Sequence, residues 1–196
     1  KALNWCDDKG SVDFYDMKGI VEGLLEAMQV SDYTMTRSQQ PYLHPGKSCD
    51  IVVNGEVIGS FGEVHPVGQE NFELDQVTYV LEMAVEPLVA SATAVPQYKH
   101  LPKFPSMSRD IAVVVPAEVT NAELEQVIRA HAGELLQGVR VFDIYTGKQV
   151  AVGCKSMAFN LTYQAADRTL TDAEVDASMK KVIAEVAEAY KAKLRD

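Results

Sequence analysis

The sequence predicts an α+β protein made of two modules, residues 1–94 and 95–196. Apolar residues recur at three- and four-residue steps in some segments and alternate with polar ones in others, which are the periodicities of helices and strands. The first 96 residues hold only 5 of the 18 Lys and Arg but 15 of the 28 Asp and Glu, so they carry the acidic excess behind the net charge of −10. A stretch of small residues and prolines, residues 90–105, is typical of a boundary between modules.

The first module begins with a predicted helix over residues 14–30, whose start Asp13 or Asp16 could cap. Asn54-Gly55 then lies between two runs rich in β-branched residues. Because both residues accept the positive φ that a tight turn needs, we predict a hairpin there. Residues 77–85 are a further predicted strand.

Four β-rich segments define the second module. They are residues 111–115, 139–145 and 156–163, with a brief last strand near Leu194. A loop containing two glycines joins the middle two, which predicts a hairpin with a longer loop.

Two capping boxes predict helices after the first and third of these strands. In each box a Thr hydroxyl and a Glu carboxylate three residues later satisfy backbone N–H groups at the helix start. Thr120 with Glu123 opens the first helix, which we expect Gly138 to end, and Thr171 with Glu174 opens the second. The order strand, helix, strand, strand, helix, strand predicts a ferredoxin-like βαββαβ sandwich.

One face of this predicted sheet should pack on the two helices while the other stays open, because side chains alternate across a strand. In residues 156–163 the apolar set should face the helices. In residues 139–145 we expect Phe142 and Ile144 to face the helices, which leaves Val141, Asp143 and Tyr145 on the open face.

The open face is a candidate surface for a nucleobase. If the two hairpin strands pair, Asp143, Tyr145 and Ser156 can lie close together. The ring could stack on a base, while the carboxylate and the hydroxyl bond to its edge, and a carboxylate suits the donor-rich edge of guanine. A Tyr that serves strand packing and an Asp that serves a turn remain the alternative, since many ferredoxin-like domains bind no nucleic acid.

Three cations lie in or near the hairpin loop and after the third strand, where they could meet phosphates. They are Lys148, Lys155 and Arg168. Most surface Lys and Arg are merely solvated, so their position alone carries little weight.

The sequence offers little support for metal or nucleophile chemistry. His44, Cys49, Asp50 and His65 are ligand or catalyst types, but no HExxH-like pair occurs, and both His-Pro segments are typical of turns in which His caps or packs. The three cysteines are widely spaced without a CxxC pair, which indicates neither a disulfide framework nor zinc. We expect no catalytic residue, metal or cofactor in this chain, no membrane span, and a reducing cytoplasm as its location.

Several sequence blocks resemble bacterial phenylalanyl-tRNA synthetase β subunits. The blocks of the second module are residues 102–106, 109–115, 141–147, 155–159 and 167–175. Residues 12–19, 42–46, 54–55 and 59–66 resemble the degenerate class II synthetase-like module of the same subunit. The blocks follow the family's order and spacing and cover essentially the whole chain.

The resemblance implies a C-terminal portion of that subunit, in which part of a class II-like antiparallel sheet with helices precedes a ferredoxin-fold anticodon-binding domain. Tyr145 would then stack on the first anticodon base of tRNA(Phe), a guanine, with Asp143 and Ser156 near its edge. The resemblance also implies an α2β2 heterotetramer, with a second β subunit and a catalytic α subunit that uses ATP and Mg²⁺. Because the chain starts at Lys1 without an initiator Met, we expect a piece of a longer protein.

Two further expectations concern partners. The acidic first module suits a protein surface better than an RNA surface, because like charge repels phosphates, so we expect it to pack within the heterotetramer. The alternative function is a regulatory ferredoxin-like domain that binds a small molecule at the sheet edge or a domain interface and has no affinity for tRNA.

Overall fold

The computed structural model describes residues 10–93, 95, 98, 101–147 and 149–195. The chain divides into two compact units, Lys1–Tyr98 and Lys99–Asp196. Each contains a four-stranded antiparallel sheet with helices, which confirms the α+β class. The predicted boundary after residue 94 falls on a residue outside the described ones and stays a prediction. Within the described ranges, no helix is both long and apolar enough to cross a membrane.

The first unit contains one four-stranded sheet whose strands lie side by side in chain order. In chain order its elements are α1 (Phe14–Ala27), β1 (Tyr33–Arg37), β2 (Leu43–Val53), β3 (Glu56–Val64), α2 (Pro66–Asn71), β4 (Tyr79–Met83) and α3 (Val85–Ser91). The core forms where buried residues of α1, such as Val21 and Leu25, pack with Ile51 and Phe61 of the sheet.

The start of α1 and the first hairpin agree with the sequence prediction. Asp13 accepts from the backbone N–H of Asp16, and the Asp16 carboxylate accepts from the N–H of Asp13, so the two form a capping box. Asn54 and Gly55 have φ of 52° and 83° and join β2 to β3. The helix ends at Ala27, three residues earlier than predicted.

Other predictions in the first unit need correction. The strand predicted over residues 77–85 is shorter, because Val85 already begins α3. That helix reaches Ser91, so the predicted linker cannot begin at Ala90, while its Pro96 lies outside the described residues. Strand β1 and helix α2 were not predicted, because neither combines a cap with a long periodic run.

The second unit has the predicted βαββαβ order. Its elements are β5 (Met107–Pro116), α4 (Asn121–Ala132), β6 (Leu136–Tyr145), β7 (Cys154–Tyr163), α5 (Asp172–Tyr190) and β8 (Lys193–Leu194). The sheet order is β6-β7-β5-β8, with antiparallel neighbours throughout. The alternate residues Met157, Phe159, Leu161 and Tyr163 of β7 are fully buried in the core with residues of both helices, as predicted.

Both predicted capping boxes of the second unit are present, at Thr120 with Glu123 and at Thr171 with Glu174. The prediction that Gly138 ends α4 was wrong. The helix ends at Ala132, because Gly133 adopts φ of 80° with an extended ψ, a conformation that side-chain-bearing residues avoid.

A β-bulge in β6 corrects the predicted facing of two residues. Val141 is opposite Phe159 and packs against the core, whereas the next paired residue, Asp143, is opposite Ala158. Phe142 is the extra residue between them and is 52% exposed. Val141 therefore faces the helices and Phe142 does not, the reverse of what strict alternation predicts.

Candidate nucleic-acid interface

The sheet face that points away from α4 and α5 brings the three predicted base-binding residues together. We call it the open face. Tyr145 lies directly opposite Ser156, and Asp143 lies opposite Ala158 on the same face. Asp143 is exposed and Tyr145 is half-buried. Ser156 is only 3% exposed, so its hydroxyl is far less accessible than the Asp143 carboxylate.

The ring of Tyr145 rests against Gly147, two residues further along the chain. A Cβ added to Gly147 would lie 2.1 Å from Tyr145 Oη and 2.2 Å from its Cζ, far inside van der Waals contact. Only the absence of a side chain at Gly147 lets the phenol occupy this position. Gly147 is thus a positioning residue for the ring, a role that the sequence pattern did not reveal.

Arg195 covers one face of the same ring. Its Cζ lies 4.7 Å from the centroid of the Tyr145 ring, within the range of a cation–π contact. The backbone N–H of Arg195 donates to Ala112 O at 2.9 Å, and Nη2 donates to Gln149 Oε1 at 3.0 Å. Sequence reasoning missed Arg195 because only the pairing of β8 with β5 brings the end of the chain to this face.

The predicted phosphate contacts are placed less favourably. Arg168 pairs with Asp167 at 3.2 Å and with Glu174 at 2.5 Å, at the start of α5. Lys155 lies opposite Val115, a core residue, and therefore on the helix side of the sheet. Lys148 lies outside the described residues. The positions of Arg168 and Lys155 add no support to a phosphate contact, and all three contacts remain predictions.

Hydrogen bonds in the two capping boxes lower the pKa of the glutamate carboxylates. The backbone N–H of Thr171, together with the Arg168 guanidinium and the Thr171 hydroxyl, lowers the pKa of Glu174 to about 2. The Thr120 hydroxyl and backbone N–H lower the pKa of Glu123, with a smaller contribution from the charge of Lys155. Arg168 and Lys155 thus act on the helix starts in this structure.

Arg140 is a cation of the open face that the sequence analysis did not single out. It lies opposite Asn160, which in turn lies opposite Asp110. The other arginines of the second unit's helices, loops and strand β5 are paired with carboxylates: Arg109, Arg129 and Arg168. Among the described residues, neither Arg140 nor Arg195 forms an ion pair. Both therefore keep their charge available on this face.

The residues considered for metal or nucleophile chemistry serve the backbone or the core instead. His44 Nδ1 accepts from Gly46 N–H at 3.0 Å, and His65 Nδ1 accepts from Val67 N–H at 3.2 Å, so both cap turns as predicted. Burial raises the pKa of the Cys49 thiol, which disfavours the reactive thiolate. In the part of the chain that is described, no three His, Cys, Asp or Glu side chains group as metal ligands would.

Family profiles match both parts of the chain. A profile described as "Ferredoxin-fold anticodon binding domain" matches residues 102–195. A second, described as "Phenylalanyl tRNA synthetase beta chain CLM domain", matches residues 1–85. The two matches agree with the resemblance of the sequence blocks in each module.

Similar curated proteins are named phenylalanine–tRNA ligase β subunit. The one from Symbiobacterium thermophilum is 43% identical over 193 residues, covering 98% of this chain and 22% of the relative. Those from Shouchella clausii and Bacillus subtilis are each 42% identical over 192 residues, covering 97% of this chain and 24% of the relative. The chain thus spans about a quarter of the length of the relatives it matches.

Proposed function

We propose that this chain is a C-terminal portion of a phenylalanine–tRNA ligase β subunit and that it binds the anticodon stem-loop of tRNA(Phe). The binding surface is the open face of the second sheet. Tyr145 stacks on the first anticodon base, a guanine, and the Asp143 carboxylate accepts hydrogen bonds from its edge.

The observation that carries this proposal is the cross-strand arrangement of Tyr145, Asp143 and Ser156 within the region that matches an anticodon-binding profile. A ring that lies against Gly147 and is covered on one face by Arg195 has little freedom to lose when a base stacks on its other face. The exposed Asp143 carboxylate has free acceptor capacity for the N–H groups of guanine. Ser156 would join these contacts only if binding opens the site around it, because it is 3% exposed.

A titration of this chain with the tRNA(Phe) anticodon stem-loop at low salt tests the proposal. NMR shifts should centre on Asp143 and Tyr145 and should weaken when the first anticodon guanine is replaced by adenine. Tyr145→Ala should lower the affinity by about 1–3 kcal/mol, the usual contribution of one stacked base.

Tyr42→Ala is the matched control, because Tyr42 is a partly exposed aromatic residue of the other unit that donates to Glu82 at 3.2 Å. It should leave the affinity unchanged. Shifts that ignore the guanine, or equal losses from both substitutions, would overturn the assignment of the open face.

For the whole protein we propose the role that the family implies. The chain is part of a cytoplasmic phenylalanine–tRNA ligase in which a catalytic α subunit activates phenylalanine with ATP and Mg²⁺. The first unit serves as a non-catalytic scaffold for an α2β2 assembly, consistent with 15 of the 28 acidic residues in the first 96 positions. Copurification of α with this chain, tested with and without residues 1–96, measures that contribution.

A regulatory small-molecule site remains the second candidate. A cavity of about 470 Å³ lies at the other end of the hairpin from Tyr145 and is lined by Pro102, Lys103, Gln137 and Gln164, among others. Its volume is within the range of small-molecule sites. Thermal stabilisation by amino acids or nucleotides, abolished by Gln164→Leu and accompanied by no RNA binding, would favour this function over the first.

A further inference from the structure

A second aromatic side chain shares the open face with Tyr145. The bulge in β6 turns Phe142 to the same side as Arg140, and leaves its ring 52% exposed. An exposed phenyl ring on a sheet gains nothing from the core. It does offer a π-face on which a base can stack.

Phe142 forms one wall of a shallow cavity of about 260 Å³. The other walls are Arg140, Asn160 and Asp110, which lie side by side on β6, β7 and β5. Asn160 Nδ2 donates to Asp110 Oδ1 at 2.7 Å. The Asn160 amide is the donor in this bond. The groups that the pair still offers to a ligand are therefore mainly acceptor oxygens, which suit a base with an exocyclic amino group.

The charge of the cavity fits a nucleotide. Arg140 has no ion pair among the described residues, although Asp110 lines the same cavity. An uncommitted guanidinium beside an exposed ring can meet a phosphate or stack on a base. A hydrophobic ligand would leave the charge of Arg140 without a partner.

We propose that Phe142, Arg140, Asn160 and Asp110 form a second nucleotide subsite, which takes one unpaired loop nucleotide next to the base on Tyr145. This inference rests on the proposed function, because both subsites lie on the same face. Phe142 and Tyr145 are three residues apart, about 10 Å along the strand at roughly 3.3 Å per residue. Four-stranded sheets that bind RNA hold two or three stacked bases on such a face.

The test measures binding of the anticodon stem-loop to this chain and to Phe142→Ala, with each loop nucleotide beside the first anticodon base made abasic in turn. Phe142→Ala should weaken binding about 5- to 150-fold. At one abasic position the effect of Phe142→Ala should disappear, which identifies the nucleotide that stacks on the ring.

Ile144→Ala is the matched control, because Ile144 is 54% exposed on the same strand but lies opposite Met157, on the helix side. It should change the affinity less than two-fold. Arg140→Gln should reduce the slope of log affinity against log salt by about 0.7 if it meets a phosphate, whereas Arg129→Gln, which only breaks the pair with Glu125, should not.

The outcomes separate the two proposals. If Tyr145→Ala weakens guanine-dependent binding while Phe142→Ala behaves like Ile144→Ala and shows no coupling to any loop nucleotide, the second subsite is overturned and the proposed function stands. If no variant and no RNA substitution matters, both are overturned. Coupling of Phe142 to one nucleotide other than the first anticodon base supports the subsite.

Discussion

The two sheets are both four-stranded and antiparallel, but they differ in the side chains on the face away from their helices. In the first sheet a cross-strand row runs through Thr36, Asp50, Ser60 and Glu82. Its polar groups serve one another, since Ser60 Oγ donates to Asp50 at 2.7 Å. In the second sheet the corresponding face carries the exposed ring of Phe142, the half-buried ring of Tyr145 and two arginines, Arg140 and Arg195, that have no carboxylate partner among the described residues.

A four-stranded antiparallel sheet therefore does not by itself make an RNA-binding surface. An antiparallel sheet supplies a flat frame with side chains at regular spacing, and the residues decide the partner. Carboxylates on the first sheet repel phosphates, while free guanidinium groups beside rings attract nucleotides. The comparison predicts that RNA binding depends on the second sheet and not on the first.

The largest expected effect comes from damaging each core in turn. Phe159→Ala and Phe61→Ala each remove a fully buried ring, so each should lower the free energy of unfolding of its own unit by about 3–5 kcal/mol. Only Phe159→Ala should weaken RNA binding, because Phe159 lies opposite Val141 beneath the open face. Urea unfolding and stem-loop titration of both variants give the two measurements.

The same two variants can show whether the first sheet takes part in RNA binding. If Phe61→Ala abolishes RNA binding while the second unit keeps its NMR spectrum, the first sheet takes part in recognition. Equal RNA affinities of wild type and Phe61→Ala, with an unfolding transition shifted in the first unit only, would support RNA binding by the second unit alone.

A smaller effect should follow from Gly147→Ala. The added Cβ meets the hydroxyl end of the Tyr145 ring, so the ring must turn away and its contact with Arg195 should weaken. Because the ring itself remains, we expect a loss of about 3- to 10-fold in RNA affinity, less than removal of the stacking ring would cost. Ring-proton shifts of Tyr145 report the movement directly.

Gly138→Ala is the matched control, because Gly138 lies in β6, the strand that ends at Tyr145. A Cβ there lies 3.9 Å from Thr162 Cβ, an ordinary contact. Unchanged Tyr145 shifts in Gly147→Ala would show that the ring does not depend on this glycine.

Local sequence patterns were sufficient to predict much of the second unit. The capping boxes at Thr120 and Thr171 predicted both helix starts, because the signal lies within four residues. Alternation predicted the shared face of Asp143, Tyr145 and Ser156. These features depend on neighbours in the sequence or on one strand pairing.

Features that depend on distant or irregular geometry escaped prediction. The bulge at Phe142 changes which residue faces the core, and no residue type in that segment indicates a bulge. Arg195 reaches Tyr145 only because β8 pairs with β5, 80 positions earlier in the chain. For Arg168, the sequence showed a cation near the loop but could not show that two carboxylates already engage it.

The smallest expected effect concerns that engaged cation. Arg168→Gln should raise the pKa of Glu174 from about 2, yet leave it below the ordinary value of about 4.3, because the Thr171 N–H, its largest cause, remains. A native pKa below the unfolded one stabilises the fold above about pH 4.3, and the contribution fades as pH falls towards 2. The free energy of unfolding of the variant should therefore be lower than that of the wild type at pH 7. It should also decrease less as the pH falls.

Carboxyl ¹³C NMR titration of Glu174 measures the pKa change. The control Arg129→Gln removes an ion pair in α4 and should leave the pKa of Glu174 unchanged. The ion pairs with Asp167 and Glu174 predict that RNA affinity and its salt slope stay unchanged in Arg168→Gln, against the phosphate contact expected from the sequence. A drop in slope equal to that of Arg140→Gln would mean that Arg168 exchanges Glu174 for a phosphate on binding. The RNA-binding face would then extend past the sheet to the start of α5.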